Sequence, residues 1–391
     1  MRRSVRSALL FSSMVLSLGC PSQEATEIGA VLPLTGEHQL YGQSVLKGIE
    51  LAFEDVVGDE ATSDWVLSVQ DSESDPVKSA ELVGALYDAG ATAVIGGVVT
   101  DEALASVTVA DRYSRVLLSP SASSAQLTGA SKNFYRVFIS DSKEGRIMAQ
   151  FAVNDLTATT AVVLARQTNY ARGLKDIFQE AFIGLEGELL DVIEYPTGSD
   201  LTGLIERAVT VEPDVVYLAG YADDVASMIE GLRERQFAGS ILTTSAFATP
   251  EVMERVGSVA EGVFLTQTDF DPAGDNEAVA RFVNRYARLN GTVPDLYSAH
   301  GFDALKVLAA GIVAAQGQPR EVWSGLRSLR EVPGVTGMLQ FDEKGDVGKF
   351  PRVYRIHEGA LVDHKKWLEE QKKQLLIRWQ ELRDQIDSRN G

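Results

Sequence analysis

The clearest pattern in the chain is a short apolar run followed by a helical repeat, within residues 28–53. The run predicts a strand of a parallel sheet covered on both faces, and Pro33 and Gly36 end it. From Tyr41 onward apolar residues recur at helical spacing, which predicts an amphipathic helix. The turn between them lies at the carboxyl end of the strand, the edge at which open α/β sheets bind ligands. The strand residues are Ile28, Ala30, Val31, Leu32 and Leu34, and the helix residues are Val45, Leu46, Ile49, Ala52 and Phe53.

Strand and helix patterns continue to alternate through the body of the chain. Such alternation predicts a doubly wound α/β arrangement, and here it occurs twice, on either side of about residue 140. Two longer helical patterns at 276–289 and 296–315 interrupt it, and strand patterns at 337–341 and 353–357 follow, the second ending in a hairpin turn at 358–359. Strands are predicted over 66–69, 93–95, 116–118, 160–164, 189–193, 215–218, 241–243 and 263–266, and helices over 76–87, 101–113, 143–155, 170–185, 201–209, 223–235 and 250–256.

Three short matches give the chain a family resemblance. Residues 33–36 read PLTG, residues 41–42 read YG, and residues 51–55 read LAFED at the end of the first helix. This order resembles the opening of the type I periplasmic binding proteins of the branched-chain amino-acid (leucine/isoleucine/valine) group, and further matches continue to about residue 360. The resemblance implies a solute-binding protein of an ABC importer that takes a small amino-acid-like ligand and has an ABC permease as its partner.

In that family the chain crosses three times between its lobes, so the resemblance implies an α/β fold of two doubly wound, Rossmann-like lobes joined by a three-crossing hinge. The first lobe is then expected over 27–139 and 268–340, and the second over 140–267 and 341–363. The ligand is expected in the cleft that the hinge opens and shuts.

The N-terminal residues have the pattern of an export signal. Arg2, Arg3 and Arg6 precede an apolar segment, 8–18, that is too short to span a bilayer. It ends at Cys20, which resembles the lipidated cysteine of a bacterial lipoprotein, although Ser17 stands where leucine is usual. We therefore expect a signal peptide over 1–19, then a lipidated Cys20 and tether over 20–26, and anchoring in the bacterial periplasm or at the cell surface. The alternative is an ordinary signal peptide with an incidental cysteine.

Composition narrows the classes of function. Cys20 is the only cysteine, so the mature chain has no intrachain disulfide. The formal charge of −19, which becomes about −22 without the signal, argues against nucleic acid and anionic membrane as partners. The sequence shows no HExxH, P-loop, GxGxxG after a strand or GxSxG motif, which argues against an enzyme and against a cofactor. The acidic cluster Asp71, Glu73 and Asp75 is interpreted as the cap of the helix that begins at Pro76 rather than as a metal site.

Two loops at the ends of the third and fourth strands are candidate ligand contacts. The first, 96–100, ends in Thr100, which is expected to cap the next helix and, by resemblance, to bind a ligand carboxylate with the helix N-terminus. The second, 119–124, resembles the family's SPxxT loop. The resemblance assigns a backbone carbonyl contact to Ser121 and a hydroxyl contact to Ser123.

Tyrosines follow several strands. Tyr41, Tyr170 and Tyr221 match aromatic positions of the family's cleft, and Tyr297 is a fourth candidate. Their rings and hydroxyl groups would suit a small amphipathic ligand.

One position departs from the family. Branched-chain amino-acid binders place a carboxylate in the loop after the next strand, where it pairs with the ligand ammonium, and this chain has Ser245 there. Because an unpaired buried ammonium is costly, either a nearby acid such as Asp223 replaces it or the ligand lacks a primary ammonium. Amides and small aromatic or aliphatic carboxylates therefore remain alternatives.

The last segment, 364–391, predicts an amphipathic helix that the resemblance does not cover. Its apolar stripe is heptad-like and is interrupted by Lys372. It is either docked on its own protein or binds a partner, and it keeps open a second class of function, a ligand sensor or envelope scaffold without transport. The stripe consists of Leu368, Leu375, Trp379, Leu382 and Ile386.

Overall fold

The structure is a computed structural model that describes residues 25–274 and 276–390. The body of the chain lies within these residues, whereas the expected signal peptide and Cys20 lie outside them. The strands form two separate large sheets. Sheet A is all parallel and has, in spatial order, β2 (Val66–Asp71), β1 (Glu27–Leu32), β3 (Ala93–Gly96), β4 (Leu117–Ser119) and β5 (Phe134–Arg136).

Sheet B contains seven strands, of which five are parallel and two form an antiparallel hairpin at one edge. A further two-stranded hairpin, β11 (Val332–Gly334) and β12 (Gly337–Leu339), lies apart from both sheets. The order in sheet B is β14 (Ala360–Asp363), β13 (Arg352–His357), β10 (Phe264–Gln267), β9 (Ser240–Thr244), β8 (Val215–Ala219), β6 (Thr160–Arg166) and β7 (Glu188–Tyr195).

Helices pack around each sheet, and the elements around sheet A are called the first lobe and those around sheet B the second lobe. This confirms the predicted α/β fold with two doubly wound lobes; the residue boundaries of the lobes remain a prediction. The first lobe has α1 (Gln39–Val57), α2 (Pro76–Ala89), α3 (Thr100–Tyr113), α9 (Glu277–Asn290), α10 (Leu296–Ala314) and α11 (Val322–Ser328), and the second has α4 (Asp141–Asn154), α5 (Asn169–Gly184), α6 (Leu201–Thr210), α7 (Ala222–Glu234), α8 (Pro250–Val256) and α12 (His364–Asn390).

The central strand β1 shows why the first sheet has helices on both faces. Its side chains are buried on both faces: Ile28, Ala30 and Leu32 lie in one hydrophobic core, and Val31 lies in another. Successive residues of a strand point to opposite faces, so a continuous apolar run fits only a sheet covered on both sides. The interpretation of the acidic cluster is also confirmed, since the Asp75 carboxylate caps α2 by accepting from the Val77 and Lys78 N–H groups.

Several short elements were not predicted from the sequence. Strands β5 and β11 have three residues each and α11 has seven, so none extends over more than about two periods of its pattern. Helix α4 begins at Asp141, two residues earlier than predicted, because the Ser140 hydroxyl caps it by accepting from the Ser142 N–H. The earlier start places Asp141 in the first turn of the helix.

The C-terminal helix α12 contacts the second lobe only at its beginning. Trp367 stacks under the Arg355 guanidinium, with 3.9 Å between the guanidinium carbon and the ring centre, and His364 packs edge-on against Phe151 and Phe264. Beyond this the apolar side chains are exposed, so the expectation of a docked helix is wrong for its second half. The exposed residues are Leu375, Leu376, Ile377, Trp379, Leu382 and Ile386.

A membrane span requires a helix that is both long and apolar. Within the described ranges no single helix is both long enough and apolar enough, and only the sharply bent pair Leu296–Ala314 and Pro319–Ser328 meets this requirement by length and composition.

Helices α1 and α10 pack so closely that glycine is required at their crossing. A Cβ on Gly48 would lie 1.9 Å from the Ser298 carbonyl oxygen, and one on Gly301 would lie 2.3 Å from the Val45 carbonyl oxygen. This crossing attaches α10, which follows the second lobe in sequence, to the first lobe.

Replacing Gly48 with alanine is expected to force the two helices apart. We expect G48A to lower the free energy of unfolding by about 1–3 kcal/mol or more, because overpacking a tight contact shifts backbone. Urea denaturation followed by circular dichroism measures it. The control is G203A, in an exposed turn of α6 with open space around the new methyl group, which should be neutral or stabilising by up to about 1 kcal/mol. Equal stability of the two variants would contradict the role of the crossing.

Candidate functional site

A cavity lies between the lobes, at the carboxyl ends of the strands of both sheets. The centre of a water molecule could occupy about 30 Å³ of this cavity. All eight residues predicted from the sequence line it, although they come from seven separate segments of the chain; their role in binding remains a prediction. The lining consists of Tyr41, Val98, Val99, Thr100, Ser121, Ala122, Ser123, Phe138, Tyr170, Tyr221, Ser245, Ala246 and Tyr297.

The tyrosines form one connected aromatic wall. Tyr170 and Tyr221 are stacked with ring centres 5.3 Å apart, Tyr41 lies 6.0 Å from Tyr221, and Tyr297 lies 4.8 Å from Tyr41. The Tyr41 hydroxyl joins the lobes, because it donates to the Ala246 carbonyl oxygen at 2.8 Å and accepts from the Ala222 N–H at 3.0 Å. Tyr41 therefore closes the cleft in addition to lining it.

Thr100 does not cap α3, which corrects the sequence prediction. The helix begins at Thr100 itself and Val99 is its N-cap, with extended backbone and no side-chain capping bond. The Thr100 hydroxyl is buried without a hydrogen-bond partner among the described residues, and so is the hydroxyl of Tyr221. Both are thus available to a ligand at the positive end of a helix dipole.

The two acids that follow Thr100 are held away from the cavity. Asp101 accepts a hydrogen bond from the Asn169 side chain of the other lobe. Glu102 is buried, where it accepts 2.7 Å from the Ser72 hydroxyl, and burial raises its pKa to about 7. A carboxyl with a pKa near 7 carries less than a full negative charge at neutral pH, so it cancels less of the positive potential of the helix N-terminus than an ionised acid would.

The loop that carries Ser121 and Ser123 is fixed from both sides. The Ser121 hydroxyl donates 2.6 Å to the Val98 carbonyl, which joins the two candidate loops. The Ser123 carbonyl oxygen accepts a hydrogen bond of 2.8 Å from the Asp141 N–H at the start of α4. The hydroxyl of Ser121 and the carbonyl of Ser123 are therefore already used within the protein.

A buried arginine that the sequence reasoning missed supports this loop. Arg136, at the end of β5, donates 2.8 Å to the Ser124 carbonyl and forms two hydrogen bonds, of 2.7 and 3.0 Å, with the Asp346 carboxylate. It also bonds the Thr128 hydroxyl. Because Asp346 belongs to the last crossing between the lobes, one guanidinium links the ligand loop to the hinge.

The loop of Ser245 has no acid of its own, and Asp223 does not replace it. The Asp223 side chain is 68% exposed and pairs with Arg255 at 2.7 Å, so that alternative is wrong. Ser245 is buried and lines the cavity. Next to it the Thr244 and Tyr170 hydroxyl groups hydrogen bond at 2.7 Å.

Two other acids, Asp141 and Glu144, lie near the cavity and were missed from the sequence. Both belong to the first turn of α4 and are fully buried. Burial raises the pKa of Asp141 to about 7, and burial together with the Asp141 charge raises that of Glu144 to about 8. The available signal was their position on the helix face that also carries Met148 and Ala152, where acids are rare.

At the mouth of the cleft an ion pair joins the lobes. Arg166 contacts the carboxylates of Glu37 in the first lobe and Asp224 in the second, and its guanidinium lies 5.6 Å from the ring centre of Tyr221. The His38 ring centre lies 4.4 Å from that of Tyr221, and burial lowers the pKa of His38.

Known proteins resemble this chain in sequence and in structure. Residues 25–357 match the family described as periplasmic binding protein. Leu/Ile/Val-binding protein homolog 1 of Brucella abortus (strain 2308) is 24% identical over 369 residues, covering 92% of this chain and 98% of that protein. The leucine binding protein LivK of Thermotoga maritima MSB8 has a TM-score of 0.80 and 28% identity, covering 86% of this chain and 97% of that one.

A second solved structure, the branched-chain amino acid transporter substrate binding protein LivJ of Streptococcus pneumoniae in complex with isoleucine, has a TM-score of 0.80 and 20% identity, covering 86% of this chain and 98% of that one. These similarities extend over both lobes and the cleft between them. The chain therefore belongs to the periplasmic binding protein family and is a solute-binding protein rather than an enzyme.

Proposed function

We propose that the protein is the extracytoplasmic receptor of an ABC importer and binds an amino acid or a similar small polar ligand in the interlobe cleft. The observation that carries this is the convergence of the eight predicted residues on one cavity between the lobes. The similarity to Leu/Ile/Val-binding proteins favours an amino acid.

The lining offers complementary groups for such a ligand. The Thr100 hydroxyl, at the start of α3, suits a carboxylate. The Tyr221 hydroxyl is a second donor, and neither hydroxyl has a hydrogen-bond partner among the described residues. The rings of Tyr41, Tyr170 and Tyr297 supply apolar walls. A lining that combines polar groups with aromatic rings fits a small amphipathic molecule.

Closure is the signal that such a receptor gives. The contacts of Tyr41 with Ala246 and of Arg166 with Glu37 join the lobes across the cleft and break when they separate. A ligand held by Thr100 of one lobe and Tyr221 of the other binds the closed form more tightly, so occupancy shifts the population toward closure. An ABC permease is the proposed reader of that form.

Ligand binding is tested by thermal-shift and calorimetric titration of the protein from Pro21, refolded to remove carried-over ligand, with amino acids, amides and small carboxylates. A true ligand at 100 times its Kd adds about 2.7 kcal/mol of stability. T100V should weaken binding about tenfold or more, because it removes a hydroxyl facing the ligand carboxylate. T108V, on the exposed face of the same helix, should have no effect. Failure of every compound to bind would contradict the proposed function.

Membrane attachment is proposed through Cys20, which lies outside the described residues, and places the receptor in the periplasm or at the cell surface. Mass spectrometry of the mature protein, extracted from membranes with detergent, should find Cys20 at the N-terminus with a diacylglyceryl group on its sulfur. The C20A variant should lack that mass. A wild-type mature chain that begins elsewhere, or that carries an unmodified thiol, would contradict the anchor.

A sensor or scaffold role without transport remains the second candidate, and the exposed half of α12 favours it. We infer that this half binds a partner helix, and the partner tested first is a second copy of the chain. The double variant L375E/L382E should sediment as a monomer in analytical ultracentrifugation where the wild type forms a dimer, because the charges remove the apolar seam. A wild type that is monomeric at every concentration would contradict self-association.

A further inference from the structure

Two carboxyl groups are buried behind the cavity on the first turn of α4. Both oxygens of Asp141 and the Oε2 of Glu144 lack a hydrogen-bond partner within the described part of the chain. Both side chains are fully buried. A buried polar atom without a partner costs about 1–3 kcal/mol, so their presence calls for a function.

Glu144 lies beneath the loop that carries Ser245. Its Oε1 accepts 2.7 Å from the Thr266 hydroxyl, and the Ser245 backbone N–H lies beside the same carboxyl group. Asp141 is placed in the same way behind Ser123, whose hydroxyl lies beside its carboxyl group. Since Ser123 and Ser245 both line the cavity, the two carboxyl groups lie one residue behind its surface.

The other charged and titratable groups around this pair leave its negative charge available. Arg136 is the cation that faces Asp141, and it is already bonded to Asp346. Three phenols also lie near the pair and stay neutral because burial raises their pKa; they are Tyr170, Tyr217 and Tyr297.

Position 245 is where the resemblance places the acid that pairs with a ligand ammonium, and Glu144 reaches the underside of that same loop. We propose that Glu144, together with Asp141, supplies the negative charge missing at Ser245, so that the ligand of this cleft carries a primary ammonium group beside its carboxylate. The inference rests on the proposed function and narrows its ligand to amino acids and related amino carboxylates.

The protonation state of the two carboxyl groups determines the direction in which the ligand affinity changes with pH. Burial raises the pKa of Asp141 to about 7 and that of Glu144 to about 8, so at neutral pH the free protein holds a proton mainly on Glu144. An ammonium favours the carboxylate form and therefore displaces a proton on binding. Below the pKa of Glu144 the affinity then rises with pH, by up to about tenfold per pH unit for one proton.

The competing arrangement keeps Glu144 protonated as a hydrogen-bond donor to a ligand without an ammonium. An amide or a simple carboxylate would then bind without releasing a proton, and its affinity would stay constant or fall as the pH rises toward 8. The two arrangements thus differ in the direction of the pH dependence and in the direction of proton transfer.

Isothermal titration calorimetry of the wild-type protein from pH 6 to pH 8.5, in two buffers of different ionisation enthalpy, separates them. The probes are the tightest-binding amino acid of the panel and its des-amino analogue, with leucine and 4-methylpentanoate as the first pair. We expect the amino acid to bind at least tenfold more tightly than the analogue, to release protons, and to gain affinity as the pH rises to 8.

E144Q is expected to weaken binding of the amino acid at least tenfold at pH 8, to flatten its pH dependence and to leave the des-amino analogue unaffected. The glutamine matches the protonated carboxyl in shape and charge, so the melting temperature of the free variant at pH 7 should equal or exceed that of the wild type. E180Q makes the same substitution at an exposed site of α5 and should bind as the wild type does.

The inference is overturned if the des-amino analogue or an amide binds as tightly as the amino acid, or if E144Q binds the amino acid normally with unchanged proton release; either result leaves a solute-binding function in place. If no compound of the panel binds the wild type, the proposed function itself fails, and the inference fails with it.

Discussion

A single buried guanidinium holds together the parts of the molecule on which binding depends. Arg136 has no exposed surface, and its donors are directed to the Asp346 carboxylate, the Ser124 carbonyl and the Thr128 hydroxyl. Removing one partner of a buried ion pair leaves an unpaired charge and costs about 3–5 kcal/mol, so the geometry is strongly enforced. It fixes the loop of Ser121 and Ser123 relative to the last crossing between the lobes, and hence the ligand loop relative to the hinge.

On this framework the cleft combines groups that are satisfied within the protein with groups that are not. The hydroxyl of Ser121 and that of Tyr41 are bonded to other loops and shape the cavity. The hydroxyls of Thr100 and Tyr221 lack partners among the described residues. A fold that leaves buried polar groups unpaired in one place stores free energy that a complementary ligand can recover.

Local pattern predicted most of the fold, and it predicted that residues directly after the strands would lie together, for one physical reason. Parallel strands buried on both faces read as apolar runs, and residues directly after them must lie at one edge of the sheet, as Thr100, Ser121 and Tyr221 do. What failed were assignments that depended on the direction of one side chain. Thr100 was expected as a helix cap and Asp223 as a replacement acid, but the helix begins one residue earlier than a Thr100 cap requires and Asp223 turns outward to Arg255. Short elements such as β5 were missed because three residues show no periodicity.

The sequence by itself determined the alternation of strands and helices, the two lobes, the order of the ligand loops and the absence of an acid at position 245, because each of these is written in local pattern or in residue identity. Only the tertiary structure decided which distant groups meet. Glu144 belongs to the first turn of a helix and Ser245 to a loop far along the chain, and nothing in either segment alone indicates that the carboxyl lies beneath that loop. Their proximity follows from the packing of α4 against β10 of the same sheet, where the Thr266 hydroxyl holds the carboxyl in place. Charge at a binding site depends on distance in space, which a local pattern does not contain.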